Sequence, residues 1–365
     1  MQMLYRYILL FATMLASATA AALPDLGLPA TSTPEPGQVA LGKRLFLDRR
    51  LSANGTLSCA MCHIPEQGFA QNQLATPVGF NGRTVKRNSP TLLNVIHRKV
   101  LFHDGREFSL ANQVWSPLLS AREMGNISIG AVIKRLQGLD DYEAAFEVVF
   151  DEGISITTIG IALAAYERSL IAAGSPFDQW YFGNNTSAVS AQVKQGFTLF
   201  IRHGCGNCHT LSEAFAQFTD DKFHNTGIGF ERSMNTPRRE TQLIRLSETV
   251  AIKTSPPFQV ETLNDLGRYE MTGKSSDKWK YRTPTLRNVA LTAPYMHDGS
   301  ISSLREVLLF YMKGGISNEG LDPKILPFAL GEMEIQQLLS FLESLTSPYV
   351  ERLIHDARNT EIGDY

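Results

Sequence analysis

The sequence predicts a mostly α-helical protein built from two related modules. Three observations carry that prediction. Apolar residues recur at i, i+3, i+4 spacing along much of the chain, the box Cys-X-X-Cys-His occurs twice, and a segment beginning near residue 87 recurs 194 positions later.

The elements follow in chain order. Arg6 precedes an apolar run from Ile8 to Leu15, and small residues follow through Ala18-Thr19-Ala20-Ala21-Ala22. This is the pattern of a secretory leader over residues 1–22, with cleavage after Ala20 or Ala22 and a periplasmic mature protein. An uncleaved N-terminal anchor is the alternative. No later stretch has the roughly 18 apolar residues of a membrane span. The remaining chain suits two domains of ordinary size. A net charge of −2 with no basic tract gives no electrostatic footprint for nucleic acid.

Val39, Leu41 and Leu45 prepare a helix before the first box, Cys59-Ala60-Met61-Cys62-His63. Ile156, Ile159, Leu163, Tyr166 and Leu170 mark a second helix, stopped by Gly174 and Pro176. Val189, Val193, Phe197 and Phe200 lead into Gly204 and the second box, Cys205-Gly206-Asn207-Cys208-His209. Met333, Leu338, Leu342 and Leu345 mark a last helix before Pro348. The break from Gly174 to Asn185 divides residues 23–175 from residues 186–348, leaving 349–365 as a tail.

The boxes use all four cysteines of the chain. Two thiols at this spacing can each add across a haem vinyl group, and the adjacent histidine then supplies the proximal nitrogen to the iron. Zinc or a disulfide is the alternative reading, but zinc draws its thiolates into one cluster, and here each box has its own histidine. Two covalently bound c-type haems are therefore expected.

In the internal repeat, Ser89-Pro90-Thr91-Leu92-Leu93-Asn94-Val95 matches Thr283-Pro284-Thr285-Leu286-Arg287-Asn288-Val289. Phe102-His103-Asp104-Gly105 matches Met296-His297-Asp298-Gly299, and Ser109-Leu110 matches Ser303-Leu304. Ser303 and Glu306 predict a capping box that opens a helix, which Gly314-Gly315 ends. That helix carries Tyr311 and Met312, both side chains that can ligate haem iron, although a buried helical Tyr is more often plain packing. The position matching Tyr311 in the first copy is Pro117, which cannot coordinate. Gln113 and Glu123 flank it. Opposite an open haem they could orient peroxide and move its proton; taken alone they read as surface residues.

These motifs, with Arg87-Asn88, Asp104-Gly105-Arg106, Glu123-Met124 and Leu291-Thr292-Ala293-Pro294-Tyr295, resemble the bacterial dihaem cytochrome c peroxidases, and within them the MauG-type branch. The resemblance spans nearly the whole mature chain. It implies a mostly α fold of two cytochrome c-like haem domains packed around an inter-domain calcium site. His63 becomes the proximal ligand of the peroxide-reactive haem, with Gln113 and Glu123 in its distal pocket. His209 and Tyr311 become the axial ligands of a six-coordinate second haem. Calcium would be held by the Asn88 side chain and the carbonyls of Thr292 and Pro294.

Two departures bear on function. No histidine occurs between Ile64 and Ile96, where typical cytochrome c peroxidases carry a distal histidine, so the first haem is expected to be open to peroxide. His97 is a distant substitute that reads as structural. His103 stands where the family places an inter-haem Trp, Trp115 being out of register. His103 then either takes part in communication between the haems or is a hydrogen-bonded or propionate-contacting residue. The expected activity is hydrogen-peroxide-dependent oxidation of a partner protein's Trp or Tyr, or of another electron donor, through a high-valent dihaem state. The alternatives are a peroxidase that detoxifies hydrogen peroxide with electrons from a small cytochrome or cupredoxin, and a non-catalytic dihaem electron carrier.

Overall fold

Two crossed helix pairs organise the structure. Helix Pro36–Leu47 packs across Ile156–Ser169, and helix Ala191–Arg202 packs across Glu332–Glu343. The computed structural model describes residues 25–234 and 264–362, with the backbone of a strand pair, Gln242–Arg245 and Ala251–Thr254, between them. The expected leader over residues 1–22 and the last three residues of the tail lie outside the described residues.

Local signals set the helix starts. Pro36 opens the first helix. Ser155 accepts from the Thr158 N–H at 3.1 Å while the Ser155 N–H donates to the Thr158 hydroxyl at 2.8 Å, a reciprocal cap. Ser190 caps the third helix through the Val193 N–H, and the expected Ser303–Glu306 box opens helix Leu304–Met312. At both crossings a glycine removes the side chain where backbones meet. A Cβ on Gly42 would run into the Ala162 carbonyl, and one on Gly196 into the Gln337 carbonyl.

Each pair buries its own apolar cluster. The first holds Leu41, Leu45, Phe46, Leu163 and Tyr166; the second holds Leu199, Phe200, Leu338 and Phe341. Phe177, inside the expected break, is the hub of the second cluster, with ring centroids 5.3 Å from Phe197 and 5.5 Å from Phe218 and Phe341. Such aromatic pairs add about 0.5–1.5 kcal/mol each beyond area burial. The segment read as a tail contains helix Val350–Arg358, whose Val350 and Ile354 join the first cluster. The chain end therefore returns to the first half.

The repeat has the same backbone in both copies. Asn94 and Asn288 each take a left-handed conformation with φ +60°, each followed by a single 3-10 turn. Their side-chain amides donate to one shared acceptor, the Ala172 carbonyl, at 2.9 and 3.1 Å. Across the copies the Asn88 N–H donates to the His297 carbonyl at 2.8 Å and the Arg282 N–H to the His103 carbonyl at 2.7 Å. Asn88 and Arg282 are themselves 194 positions apart, as are His103 and His297. The two exchanges form one reciprocal, pseudo-symmetric contact.

Candidate functional site

Each box sits on a 3-10 turn, Cys59–Met61 and Cys205–Asn207. The His63 Nδ1–H donates to the Phe69 carbonyl at 3.3 Å, and the His209 Nδ1–H to the Phe218 carbonyl at 3.0 Å. A carbonyl can only accept, so both rings carry the proton on Nδ1 and keep the Nε2 lone pair for a metal. Burial lowers both imidazole pKa values, which keeps the rings neutral.

The carbonyls are aimed at some conformational cost. Phe69 and Phe218 have φ of +54° and +52°, a left-handed conformation that costs about 1–2 kcal/mol in a non-glycine residue. The repeat stabilises it. The Thr91 hydroxyl donates to the Gly68 carbonyl at 2.6 Å, and the Thr285 hydroxyl to the Gln217 carbonyl at 2.7 Å, each one residue before the strained Phe. The Thr of each repeat thus holds the loop that orients the histidine. Sequence reading missed Phe69 and Phe218, because the loops differ in length and the two residues do not share the 194-residue offset.

A cavity of about 380 Å³ opens beside the first box, lined by Cys59, Cys62, His63, His103, Gln113, Pro117 and Glu123 among others. Burial raises the Glu123 pKa, opposed by its bond to Ser120 and by Arg106. Gly79 lets the neighbouring loop close on it, since a Cβ there would meet the Arg122 carbonyl, and the Phe80 N–H donates to the Glu123 carbonyl at 2.8 Å. His103 is committed elsewhere. Its Nε2–H donates to the Asn88 carbonyl at 3.0 Å, and burial together with Arg87 and Arg282 lowers its pKa to about 3.

Around the second box, Tyr311 lies close enough to Cys208 and Cys205 for their charges to act on it, and burial raises its pKa. Its hydroxyl makes no hydrogen bond with any described residue. Met312, the rival ligand, packs against the second apolar cluster. His224 is clasped by Asp322 at 2.6 Å and Asp220 at 3.0 Å. The Cys208 sulfur and these two carboxylates raise its pKa to about 9, against burial. Cys208, Asp220 and His224 form the one three-residue group of possible metal ligands among the described residues. The two boxes do not converge, so the single cysteine cluster a zinc site requires is not formed.

The residues fit haem. Burial raises the Cys62 and Cys205 thiols to about 11, and Cys59 higher still. Such protected thiols suit thioether formation better than thiolate ligation. Arg98 lines the same cavity, and its guanidinium forms no hydrogen bond or ion pair with a described residue. Burial, with Arg282 adding to it, lowers its pKa to about 9 despite Asp221. A buried guanidinium without a counter-ion calls for an anion, and two haem propionates supply that charge. Of the expected calcium ligands, the Asn88 amide nitrogen donates to the Ala75 carbonyl at 3.0 Å. Its Oδ1 and the Thr292 and Pro294 carbonyls accept no hydrogen bond from the described residues.

A helical fold with two histidine-bearing boxes, one facing an open cavity and the other a tyrosine, defines a dihaem oxidoreductase. Residues 36–186 match the di-haem cytochrome c peroxidase family. The chain is 35% identical over 315 residues, 85% of its length, to the methylamine utilization protein MauG of Methylorubrum extorquens, covering 78% of that protein. It is 34% identical over 350 residues to the cytochrome-c peroxidase IdrP1 of Denitromonas iodatirespirans, covering 94% of this chain and 89% of the relative. A crystal structure of a MauG-like protein associated with microbial copper homeostasis superimposes with TM-score 0.71 at 27% identity, over 92% of this chain and 96% of the other. The chain belongs to the di-haem cytochrome c peroxidase and MauG family, and it is a peroxidase of that family.

Proposed function

We propose that the protein is a MauG-like dihaem peroxidase that uses hydrogen peroxide to oxidise a Trp or Tyr side chain of a partner protein. The observation that carries this reading is the first cavity. His63 is on one side, Gln113 and Glu123 line the same space, and the one other imidazole among its lining residues, His103, is bound to the Asn88 carbonyl. Nothing described there competes with peroxide for the sixth position.

Cys59 and Cys62 would carry one haem and Cys205 and Cys208 the other, with the Arg98 guanidinium supplying charge for a propionate of the first. When bound, the haems supply peroxide reduction and hold the oxidising equivalents. Glu123 takes the peroxide proton at a carboxylate oxygen and returns it to the departing oxygen, for which a raised pKa is an advantage. Gln113 orients peroxide through its amide. Tyr311 would ligate the second haem, where its anionic oxygen favours oxidised iron more than a thioether would. Asn88, Thr292 and Pro294 would hold calcium with hard oxygen donors. Export to the periplasm follows the leader; no described helix is long and apolar enough to cross a membrane.

One observation favours the detoxifying alternative. His103 is neutral, hydrogen-bonded and far harder to oxidise than an indole, which slows communication between the haems. The test mixes hydrogen peroxide with the ferric holoprotein in the absence of reductant. An oxidised form that persists for seconds after the peroxide is consumed supports protein oxidation. Rapid peroxide consumption that requires a reduced small cytochrome or cupredoxin, with no such form, rejects it.

A further inference from the structure

Glu167 is a buried carboxyl that neither the expected mechanism nor the motifs use. It lies on helix Ile156–Ser169, four residues after Leu163 and three before Leu170, on the buried stripe of that helix. Its side chain lines the first cavity with Cys59 and His63. Oε2 is sealed from solvent without a hydrogen bond, and no described residue donates to the other oxygen. A buried polar group left this way needs an explanation.

The surrounding charges offer no partner. Cys59 is close enough that an ionised Glu167 would raise its pKa, yet as a haem thioether it would not titrate. Arg98, His63 and Glu123 line the same cavity, and none pairs with Glu167. On the helix packed against it, Lys43 is held by Asp356 and Arg44 by Asp141. Helix Leu110–Gln113 brings no ionisable group, and His97 on the 95–97 turn makes no hydrogen bond or ion pair with Glu167. Burial alone lifts the carboxyl to about 8, so it is neutral at pH 7. What remains to change its charge is the haem itself.

We propose that Glu167 is the proton-exchanging partner of the first haem, neutral when the iron is reduced and ionised when the iron is oxidised. The inference rests on the first box being a haem attachment. One electron from a mediator reduces the ferric iron, and one proton from solvent binds the Glu167 carboxylate; oxidation releases both. A positive charge gained at the iron is thereby offset by a negative charge inside the same cavity, which suits a haem that peroxide oxidises.

The test is a spectroelectrochemical titration of the holoprotein from pH 6 to pH 9.5. The midpoint of the first haem should be flat at low pH and fall as pH rises towards and through about 8. The slope should approach the 59 mV per unit of one proton per electron, with a plateau above the window. Glu167→Gln, which imitates the neutral acid, should remove the slope, while Glu123→Gln should keep it. A flat wild-type midpoint overturns the proposal, as does a slope that survives in Glu167→Gln. If Glu167→Gln fails to fold, dye-monitored proton uptake on reducing the wild type in weak buffer at pH 8 decides. Uptake approaching one proton per first-haem electron supports the proposal, and none overturns it. Wild-type protein carrying no haem on the first box would instead sink the underlying reading.

Discussion

In the first half, the carbonyl of Phe69 holds His63 and the Thr91 hydroxyl holds the loop behind it. In the second half, Phe218 and Thr285 do the same for His209. Both phenylalanines accept the same backbone strain for that purpose. On the opposite faces the halves diverge. Pro117, Gln113 and Glu123 line an open cavity in one, and Tyr311 stands near Cys205 and Cys208 in the other. On the proposed function, the duplicated module keeps what would position an iron ligand and changes what would meet the iron on its far side. The proposed division of labour between peroxide chemistry and electron storage then needs few substitutions.

Breaking one half at a time tests this. The largest effect is expected from Glu123→Gln, which should keep both haems and slow the reaction with peroxide about 100- to 10,000-fold in stopped-flow absorbance. Asp178→Asn removes one partner of a fully buried bidentate pair with Arg287, at 2.7 and 2.9 Å. It should destabilise the second half by about 3–5 kcal/mol in denaturant unfolding, leaving the first haem's spectrum unchanged. Gly42→Ala and Gly196→Ala should each cost about 1–3 kcal/mol by the same unfolding measurement, equal in kind because both crossings use the glycine alike. The smallest change is expected from Thr91→Val and Thr285→Val. Each loses two hydrogen bonds, the one its hydroxyl donates to the loop carbonyl and the one it accepts from the Leu93 or Arg287 N–H, at about 1 kcal/mol apiece, and should alter the absorbance of its own haem only. If Thr91→Val perturbed the second haem equally, the modular account would fail.

The boxes, the repeat and the capping box were legible because their chemistry is local: fixed spacings bring the thiols, the histidine and the turn residues together whatever the tertiary fold. The helix pairs were legible from apolar periodicity. Which glycine sits at a crossing was not, since Gly42 and Gly196 matter only through the Ala162 and Gln337 carbonyls on distant helices. Phe69 and Phe218 stayed hidden because their role is a backbone conformation rather than a side chain. Glu167 left one signal, a charged residue on a buried helical stripe, and Arg98 left none. The closing helix from Val350 read as a tail because its partners lie some three hundred residues earlier in the first cluster.

The central claim is the asymmetry of the distal faces, and an EPR spectrum of the resting ferric holoprotein tests it most directly. The account predicts one high-spin haem on His63 and one low-spin haem on His209 and Tyr311. Tyr311→Phe should abolish the low-spin signal, and Met312→Leu should leave it intact. Two low-spin haems in the wild type, or an unchanged spectrum in Tyr311→Phe, would contradict it.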